Sequence, residues 1–200
     1  MGVFCQFFDG GRNAPVRPNN WRLRVLYAFG RWLACRHGDV RIHPSALIHP
    51  EARICARDGR IEIGEDSLVA PGTCLQGNVR IGRNCSVQMN GILVGYGRAD
   101  DSSGLITIGD NVRIAAHCMM IAANHNFERT EIPIARQGLS FAPITVEDDV
   151  WIGGYVKITA GVRVGHGSVI GMGSVVTRDI PPMSVAVGVP ARVIRRRDDG

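Results

Sequence analysis

The stretch that decides the fold is Val146–Val176, which reads VEDDVWIGGYVKITAGVRVGHGSVIGMGSVV. A branched aliphatic residue returns in it at every sixth position: Val146, Ile152, Ile158, Val164, Ile170 and Val176. An α-helix repeats about every 3.6 residues, so no helical face would collect these side chains. The six-residue period fits a coil of short strands, in which each hexapeptide forms one side of a triangular turn and points its aliphatic side chain at the axis.

The same period extends toward the N-terminus. Its aliphatic positions there are Ile42, Ile48, Ile54, Ile63, Val69, Leu75, Ile81, Val87, Ile108, Ile114 and Met120. Short runs rich in Gly, Asn and Asp separate them, such as residues 64–66 and 109–111, and these residue types favour tight corners. The pattern therefore predicts a mainly all-β fold, a parallel β-helix of hexapeptide repeats.

The period divides the chain into three parts. With 200 residues and 45% apolar content, the chain is sized for one principal domain. We predict an N-terminal segment with an amphipathic helix over 1–39, the β-helix over 40–183 and a basic C-terminal segment over 184–200. Two stretches interrupt the period, and their polar and Gly-containing composition predicts loops over 91–105 and 122–143.

The stretch from Asn20 to Cys35 has the spacing of an amphipathic helix. Its apolar side comprises Trp21, Val25, Ala28, Phe29, Trp32 and Leu33, and its arginines are Arg22, Arg24, Arg31 and, just beyond it, Arg36. We expect the apolar side to cap the open first turn of the β-helix. The alternative is a basic amphipathic helix in weak contact with a membrane surface.

Composition narrows the cellular setting. The six cysteines form no CxxC pair, which indicates reduced thiols and no zinc-finger site. The N-terminus lacks the apolar core of a signal peptide, and no apolar run is long enough to span a membrane, so we expect a cytoplasmic protein. The net charge of +5 is moderate, and we expect no nucleic-acid partner. The run Arg195–Arg197 suits either a phosphorylated partner or a solvated tail.

Four motifs carry a family resemblance: Val150–Gly154 (VWIGG), Gly171–Pro182 (GMGSVVTRDIPP), Gly188–Arg195 (GVPARVIR) and Asn124–Gly138 (NHNFERTEIPIARQG). Together they resemble the hexapeptide-repeat acetyltransferases. Within that family they are most similar to the galactoside, maltose and nodulation O-acetyltransferases and to the O-acetyltransferases of surface-polysaccharide gene clusters. The resemblance covers about residues 40–196. It implies a left-handed coil, acetyl-CoA as the acyl donor, a carbohydrate or nucleotide-sugar acceptor, and a homotrimer with active sites between subunits.

His125 is the residue that the resemblance makes the general base. Histidine titrates near neutral pH, and a base mounted on a loop can leave the regular coil to reach a sugar hydroxyl. The resemblance places Asn90 near the reacting centre, and we expect Asn124 and Glu128 to contact the acceptor. Glu128 or Glu131 is either an orienting partner of His125 or a solvated loop charge.

The expected coenzyme site is a groove between two coils that is floored by small residues, among them Gly153, Gly154 and Gly173. By resemblance, the coenzyme contacts are Trp151, Gly153, Gly154, Met172, Thr177, Arg178, Arg192 and Arg195. The last two arginines are expected to meet the phosphates. Met172 replaces an alanine common in the family and should narrow the groove. Trp151 is alternatively a buried aromatic wedge.

Other functions stay open at this point. We expect the acceptor hydroxyl to attack the thioester directly, because no cysteine has a nucleophile-type signature. The alternatives are N-acetylation of a nucleotide-linked amino sugar, acetylation of an antibiotic, and a non-catalytic scaffold. A more remote alternative is a zinc site of the γ-class carbonic anhydrase type, made by His117, His125 and a third histidine from a neighbouring chain. That site would leave the WIGG run and the arginine-rich end unexplained, so we expect no metal.

Overall fold

A computed structural model describes residues 5, 8, 17–36 and 38–199 of the chain. Helix α1 spans Trp21–Cys35, and a short 3-10 turn spans Ile134–Arg136. The strands, in chain order, are β1 (Asp39–Ile42), β2 (Leu47–Ile48), β3 (Arg53–Cys55), β4 (Arg60–Ile63), β5 (Leu68–Val69), β6 (Cys74–Gln76), β7 (Val79–Ile81), β8 (Ser86–Val87), β9 (Ile92–Val94), β10 (Ile106–Ile108), β11 (Arg113–Ile114), β12 (Met119–Ile121), β13 (Ala123–His125), β14 (Leu139–Phe141), β15 (Ile144–Val146), β16 (Trp151–Ile152), β17 (Lys157–Ile158), β18 (Arg163–Val164), β19 (Val169–Ile170), β20 (Val175–Val176), β21 (Ser184–Gly188) and β22 (Ala191–Arg196).

The chain winds through three parallel sheets in turn. The first sheet has the order β1-β4-β7-β10-β15-β18, the second begins β2-β5-β8-β11-β16-β19, and the third is β3-β6-β9-β12-β17-β20. Consecutive strands therefore lie on different sides of a triangle, and each strand pairs with the strand one turn later. This topology confirms the predicted parallel β-helix.

Strand register stacks the six-residue period into buried columns. The column of the first sheet includes Ile63, Ile81, Ile108, Val146 and Val164, each of which is at most 3% exposed. Each such side chain favours the folded state by roughly 1.5–3 kcal/mol relative to an exposed position. The core is therefore one continuous apolar column along the axis of the coil.

The turns on either side of the third sheet position the candidate site. We call the turns that precede its strands the entry corner and those that follow its strands the exit corner. The entry corner carries a ladder of residues with φ between 57° and 74°, namely Gly72, Asn90, His117, Tyr155 and Gly173. Gly and Asn adopt this left-handed region readily, whereas bulky residues rarely do. His117 and Tyr155 are the bulky members, and their rings stack with centroids 4.7 Å apart.

One predicted boundary is wrong. The loop predicted over 91–105 begins later, because β9 continues the coil and buries Leu93 in the column of the third sheet. Leu93 lies six residues after Val87 and so obeys the period, but the glycines beside β9 suggested a loop. Gly95 is needed for close packing instead, since a Cβ there would lie 1.9 Å from the carbonyl oxygen of Asn78.

The other two irregular segments are more ordered than their composition suggests. Residues 122–143, the hairpin loop, leave the coil at the exit corner and contain the antiparallel hairpin of β13 and β14. In the predicted C-terminal segment, 184–200, β21 joins the second sheet and β22 folds back antiparallel on β21. Backbone pairing therefore holds the basic end against the coil, and the solvated-tail interpretation is wrong for residues 184–196.

Helix α1 lies against β1, β2 and β3 but presents a different face from the predicted one. Its buried residues are Leu23, Leu26, Tyr27, Gly30 and Ala34. In the predicted stripe, Trp21 and Trp32 are 63% and 60% exposed. The cause is a close approach at Gly30, where a Cβ would lie 2.0 Å from the carbonyl oxygen of Ile48. None of the helices in the described ranges is long and apolar enough to cross a membrane.

Candidate active site

His125 ends β13, in the hairpin that projects from the exit corner. It pairs with Leu139, and Ala123 pairs with Phe141. Side chains directly opposite each other in an antiparallel pair share one face, and so do alternate residues of a strand. His125 and Phe141 therefore lie on the same face of the hairpin. His125 and Asn124 are both exposed, so the imidazole is accessible to a substrate.

Two amide side chains hold the hairpin loop in shape. Gln137 Nε2 donates to the carbonyls of Arg129 and Ile132 at 2.7 and 3.1 Å, and Gln137 Oε1 accepts from the N–H of Arg129 at 3.0 Å. Asn126 Nδ2 donates to the Gln137 carbonyl at 3.1 Å, and Asn126 Oδ1 accepts from the Ser140 hydroxyl. Sequence reasoning gave neither amide a role, because a polar residue in a loop carries no signal of its partner.

The two glutamates of the hairpin loop have partners other than the histidine. Glu131 Oε1 accepts from Arg129 Nε at 2.6 Å. A hydrogen bond from its own backbone N–H, together with this arginine, lowers the pKa of Glu131. Glu128 accepts from the N–H of Phe127 at 3.1 Å. These bonds favour the solvated-charge interpretation over an orienting role toward His125, and contact of Glu128 with the acceptor stays a prediction.

Asn90 lies at the entry corner in the left-handed conformation, with φ of 57°. Its N–H donates to the carbonyl of Pro71 at 3.2 Å, which fixes the backbone. Its carboxamide lies over Gly72, where a Cβ would be 2.2 Å from Asn90 Oδ1. The side chain is exposed and therefore free to donate to a ligand.

The glycines of the predicted groove divide into packing and open positions. A Cβ on Gly153 would lie 2.7 Å from the backbone N of Met172, so this glycine permits two coils to stack. Gly154 has room for ordinary contact, with Met172 Sδ 3.8 Å from the added Cβ, and an added Cβ on Gly173 would meet nothing within 4 Å. The groove is thus floored by Gly154 and Gly173, and Met172, 76% exposed, partly covers it.

Aromatic side chains border this groove. Trp151 is 56% exposed, so its interpretation as a buried wedge is wrong. Tyr155 is 58% exposed and stacks on His117 beside Gly154. The sequence contained no signal for that stack, because the two residues lie on successive turns of the coil.

Four predicted coenzyme contacts lie elsewhere. Thr177 and Arg178 are exposed just after β20, at the exit corner. Arg192 and Arg195 are exposed on β22, and within the described residues neither pairs with a carboxylate. The adjacent arginines differ, since Arg196 pairs with Asp198 at 2.9 Å and Arg197 with Asp149 at 2.8 Å. The unpaired guanidinium groups are available to bind an anion.

The predicted site residues thus fall on two edges of the third sheet. Asn90, Gly154 and Met172 lie at the entry corner, whereas His125 and Thr177 lie at or beyond the exit corner. The chain advances from residue 117 to residue 122 between the two corners, about 16 Å at roughly 3.3 Å per residue. No hydrogen bond among the described residues joins the two groups, so each edge of one chain carries part of a site.

Comparison with known proteins identifies the family. The family model named bacterial transferase hexapeptide (six repeats) matches residues 143–178. Galactoside O-acetyltransferase of Escherichia coli (strain K12) is 40% identical over 159 residues, which are 78% of this chain and 73% of that protein. The chain belongs to the hexapeptide-repeat acetyltransferase family. It is accordingly an acyltransferase, as its motifs predicted.

Solved structures of the family agree with this assignment. The N-acyltransferase AntD from Bacillus cereus, in complex with dTDP-4-amino-4,6-dideoxyglucose and coenzyme A, superposes with a TM-score of 0.69 and 26% identity over 80% of this chain and 84% of that one. A maltose O-acetyltransferase from Clostridium difficile 630 superposes with a TM-score of 0.51 and 25% identity over 98% of this chain and 86% of that one. The left-handed β-helix predicted for this acetyltransferase is confirmed.

The histidines of this acetyltransferase do not assemble a metal site within the described part of one chain. His117 lies at the entry corner and His125 beyond the exit corner. The described residues contain no group of three or more His, Cys, Asp or Glu side chains that could hold a metal ion. His117 stacks on Tyr155 instead.

Proposed function

We propose that this acetyltransferase transfers an acetyl group from acetyl-CoA to a sugar hydroxyl in surface polysaccharide or glycoconjugate biosynthesis, with His125 as the general base. The observation that carries the proposal is the placement of His125. It is an exposed histidine on a hairpin that side-chain amides brace and that projects from an otherwise regular coil. Likeness to the galactoside and maltose O-acetyltransferases supports a sugar hydroxyl as the acceptor.

In the proposed reaction, the neutral His125 imidazole takes the proton of the acceptor hydroxyl, and the hydroxyl oxygen attacks the thioester carbonyl. The tetrahedral intermediate collapses with cleavage of the carbon–sulfur bond, and the imidazolium returns its proton to the departing thiolate. Asn90 supplies a donor to the oxyanion. Burial raises the pKa of the Cys85 and Cys118 thiols, which makes them poor nucleophiles and favours direct transfer.

The residues expected to hold acetyl-CoA fit its shape and charge. Gly154 and Gly173 leave a narrow floor for the thin pantetheine arm. Arg192 and Arg195 are unpaired and suit its phosphates. AntD, a structural neighbour, was solved with coenzyme A. Trp151, Thr177 and Arg178 are proposed as further contacts along the coenzyme.

We propose a homotrimer, because the two halves of the site lie on opposite edges of one chain. Repeating a contact between the exit edge of one subunit and the entry edge of the next closes a ring, which is a cyclic, heterologous assembly. Sedimentation should find the active species near three times 21.7 kDa. Co-assembly of inactive His125→Ala and Gly154→Trp chains should restore part of the activity, because some mixed sites contain both intact halves. An active monomer, or no restoration on mixing, would contradict this arrangement.

N-acylation is the second candidate, and the likeness to AntD in complex with a dTDP-linked amino sugar favours it. The same base and coenzyme site would serve either acceptor. The experiment that tests the proposed function is a screen of acetyl-CoA consumption with neutral sugars, acidic sugars and nucleotide-linked amino sugars. Neutral hydroxylamine cleaves an ester product and leaves an amide intact. An ester supports O-acetylation, whereas an amide formed in its place supports the second candidate.

We also propose a weak contact of α1 with membrane surfaces. Its exposed Trp21 and Trp32 are flanked by Arg22 and Arg36, whose guanidinium groups lie 5.9 and 5.6 Å from the respective ring centroids. Aromatic and arginine side chains together suit the headgroup region of an anionic bilayer. Co-sedimentation with vesicles containing phosphatidylserine should be weak and salt-sensitive and should decrease in Trp32→Ser. Equal recovery of both proteins would refute this contact.

A further inference from the structure

A cleft of about 290 Å³ opens beside the hairpin, at the exit corner of the first turns of the coil. Arg57, Asp58, Tyr96, Arg98 and Phe141 contribute the side chains that line it. Three separate segments meet there: the turn after β3, the insertion after β9, and the end of β14. No sequence motif singled out any of these residues.

The cleft lies on the same face of the hairpin as His125. Phe141 and His125 share that face and are offset by two residues along the hairpin, about 7 Å. Tyr96 stacks on Phe141 with centroids 5.2 Å apart and planes 23° apart. This stack forms an aromatic wall that begins at the base of the hairpin, so a ring bound against it lies within reach of a base further out.

The charge of the cleft is positive and only partly compensated. Arg57 donates to Gln76 Oε1 at 2.6 Å, a neutral partner that leaves the guanidinium charge in place. The carboxylate nearest to Arg98 is Asp100 at 3.9 Å, and these side chains are 84% and 86% exposed, so the pair is weak. Asp58 is the acidic residue of the lining, and a carboxylate there suits the hydroxyls of a sugar.

The backbone directs Arg57 by an unusual conformation. Residues 56–59 form a tight turn closed by the Gly59 N–H to the Ala56 carbonyl at 2.9 Å. Arg57 occupies it with φ of 51°, in the left-handed region where a long side chain is uncommon and Gly or Asn is usual. Such a conformation points to a functional constraint on the side chain.

We infer that this cleft binds the acceptor and that the acceptor is a sugar carrying an acidic group, either a carboxylate or a phosphate. The sugar ring packs on the wall of Tyr96 and Phe141, Asp58 accepts from its hydroxyls, and Arg57 and Arg98 bind the acidic group. This inference rests on the proposed function, since it names the acceptor class for the site served by His125.

Matched acceptor pairs test the inference. Acetyl transfer is measured for methyl galactoside against methyl galacturonide, and for glucose against glucose 1-phosphate. The wild type should prefer one acidic member by about tenfold or more in kcat/KM, and the pair with the larger ratio distinguishes carboxylate from phosphate. In Arg57→Gln/Arg98→Gln, that ratio should fall to about one. Arg80→Gln, an exposed arginine on the first sheet outside the cleft, should keep the wild-type ratio.

The outcomes separate this inference from the proposed function. Transfer that requires His125 but shows no preference for either acidic member overturns the acidic acceptor and leaves the base in place. A preference that survives the double substitution overturns the assignment of the two arginines. Acetyl-CoA consumption that is the same in His125→Ala overturns the proposed base, and absence of transfer to every acceptor overturns both proposals.

Discussion

The coil and the hairpin loop of this acetyltransferase are built by different rules. In the coil, every sixth side chain is buried and every strand pairs with the turns beside it, so many residues of similar size share the work of stability. In residues 122–143, most side chains are exposed, and two amides, Asn126 and Gln137, make the bonds that give the loop its shape.

This difference teaches where substitutions should affect stability and where they should affect activity. A change in the coil removes packing that is repeated along the whole axis. A change in the hairpin loop removes one specific bond or one reactive group. The five experiments below compare these two regions, from the largest expected effect to the smallest.

Removal of the base should produce the largest effect on rate. His125→Ala should lower kcat by about 10²–10⁴ while the melting temperature stays at the wild-type value, because the side chain is exposed and a general base contributes that much to the rate. Steady-state kinetics and calorimetry measure the two quantities. His166→Ala, a corner histidine outside both halves of the site, is the matched control. Near-normal turnover in His125→Ala would show that another group is the base.

The reverse result is expected in the core of the coil. Ile152→Ala should lower the free energy of unfolding by about 2–5 kcal/mol, because this side chain is fully buried and its loss leaves a cavity. Ile134→Ala, at a 54% exposed position in the hairpin loop, should cost less than about 0.5 kcal/mol. Urea denaturation measures both. Equal costs would mean that the hairpin loop packs as the coil does.

The basic end should affect one substrate selectively. Arg192→Ala/Arg195→Ala should raise the KM for acetyl-CoA about tenfold or more, since each charge-assisted bond contributes roughly 1.5–3 kcal/mol, and should leave the KM for the acceptor nearly unchanged. The wild-type KM should also rise more steeply with salt than that of the variant. Arg196→Ala/Arg197→Ala is the control. If the control pair is the sensitive one, the assignment of the phosphate contacts is wrong.

Loosening the hairpin loop should have a moderate effect on rate. Gln137→Ala removes the bonds to Arg129 and Ile132 and should lower kcat about fivefold, the equivalent of one net hydrogen bond of about 1 kcal/mol. The global melting temperature should not change, because the coil remains intact. Limited proteolysis should cut the variant faster within residues 122–143. An unchanged kcat with faster cleavage would show that the shape of the loop does not position the base.

A pair of glutamates should give the smallest difference. Glu147, in a corner of the coil, accepts from the N–H of His166 and pairs with Arg163, and these partners lower its pKa below the ordinary 4.5. Glu147→Gln should therefore cost up to about 1 kcal/mol above pH 4.5, and the cost should disappear as the pH falls through the lowered pKa. Thermal unfolding between pH 3 and pH 7 measures this. Glu131→Gln, in the hairpin loop, should show no such pH-dependent loss, and a similar loss there would contradict the contrast.

Much of the fold could be predicted because its information is local and repeated. Each aliphatic residue of the period lies in the same environment one turn along the axis, so the positions from Ile48 to Val176 announce their burial together. His125 could be predicted for a related reason, since it lies in the segment where the period stops. Leu93 escaped prediction although it obeys the period, because neighbouring glycines serve loops and close-packed coils equally well.

By itself, the sequence determined the coil, its interruptions and the residue types that acyl transfer needs. The tertiary structure alone decided three other features: the face on which α1 packs, the separation of the site residues onto two edges of the third sheet, and the cleft of Tyr96, Phe141 and Arg57. These features depend on close backbone approach, as at Gly30, or on contacts between segments many residues apart. A periodic pattern reports which residues are buried, but it does not report which residues from distant segments meet.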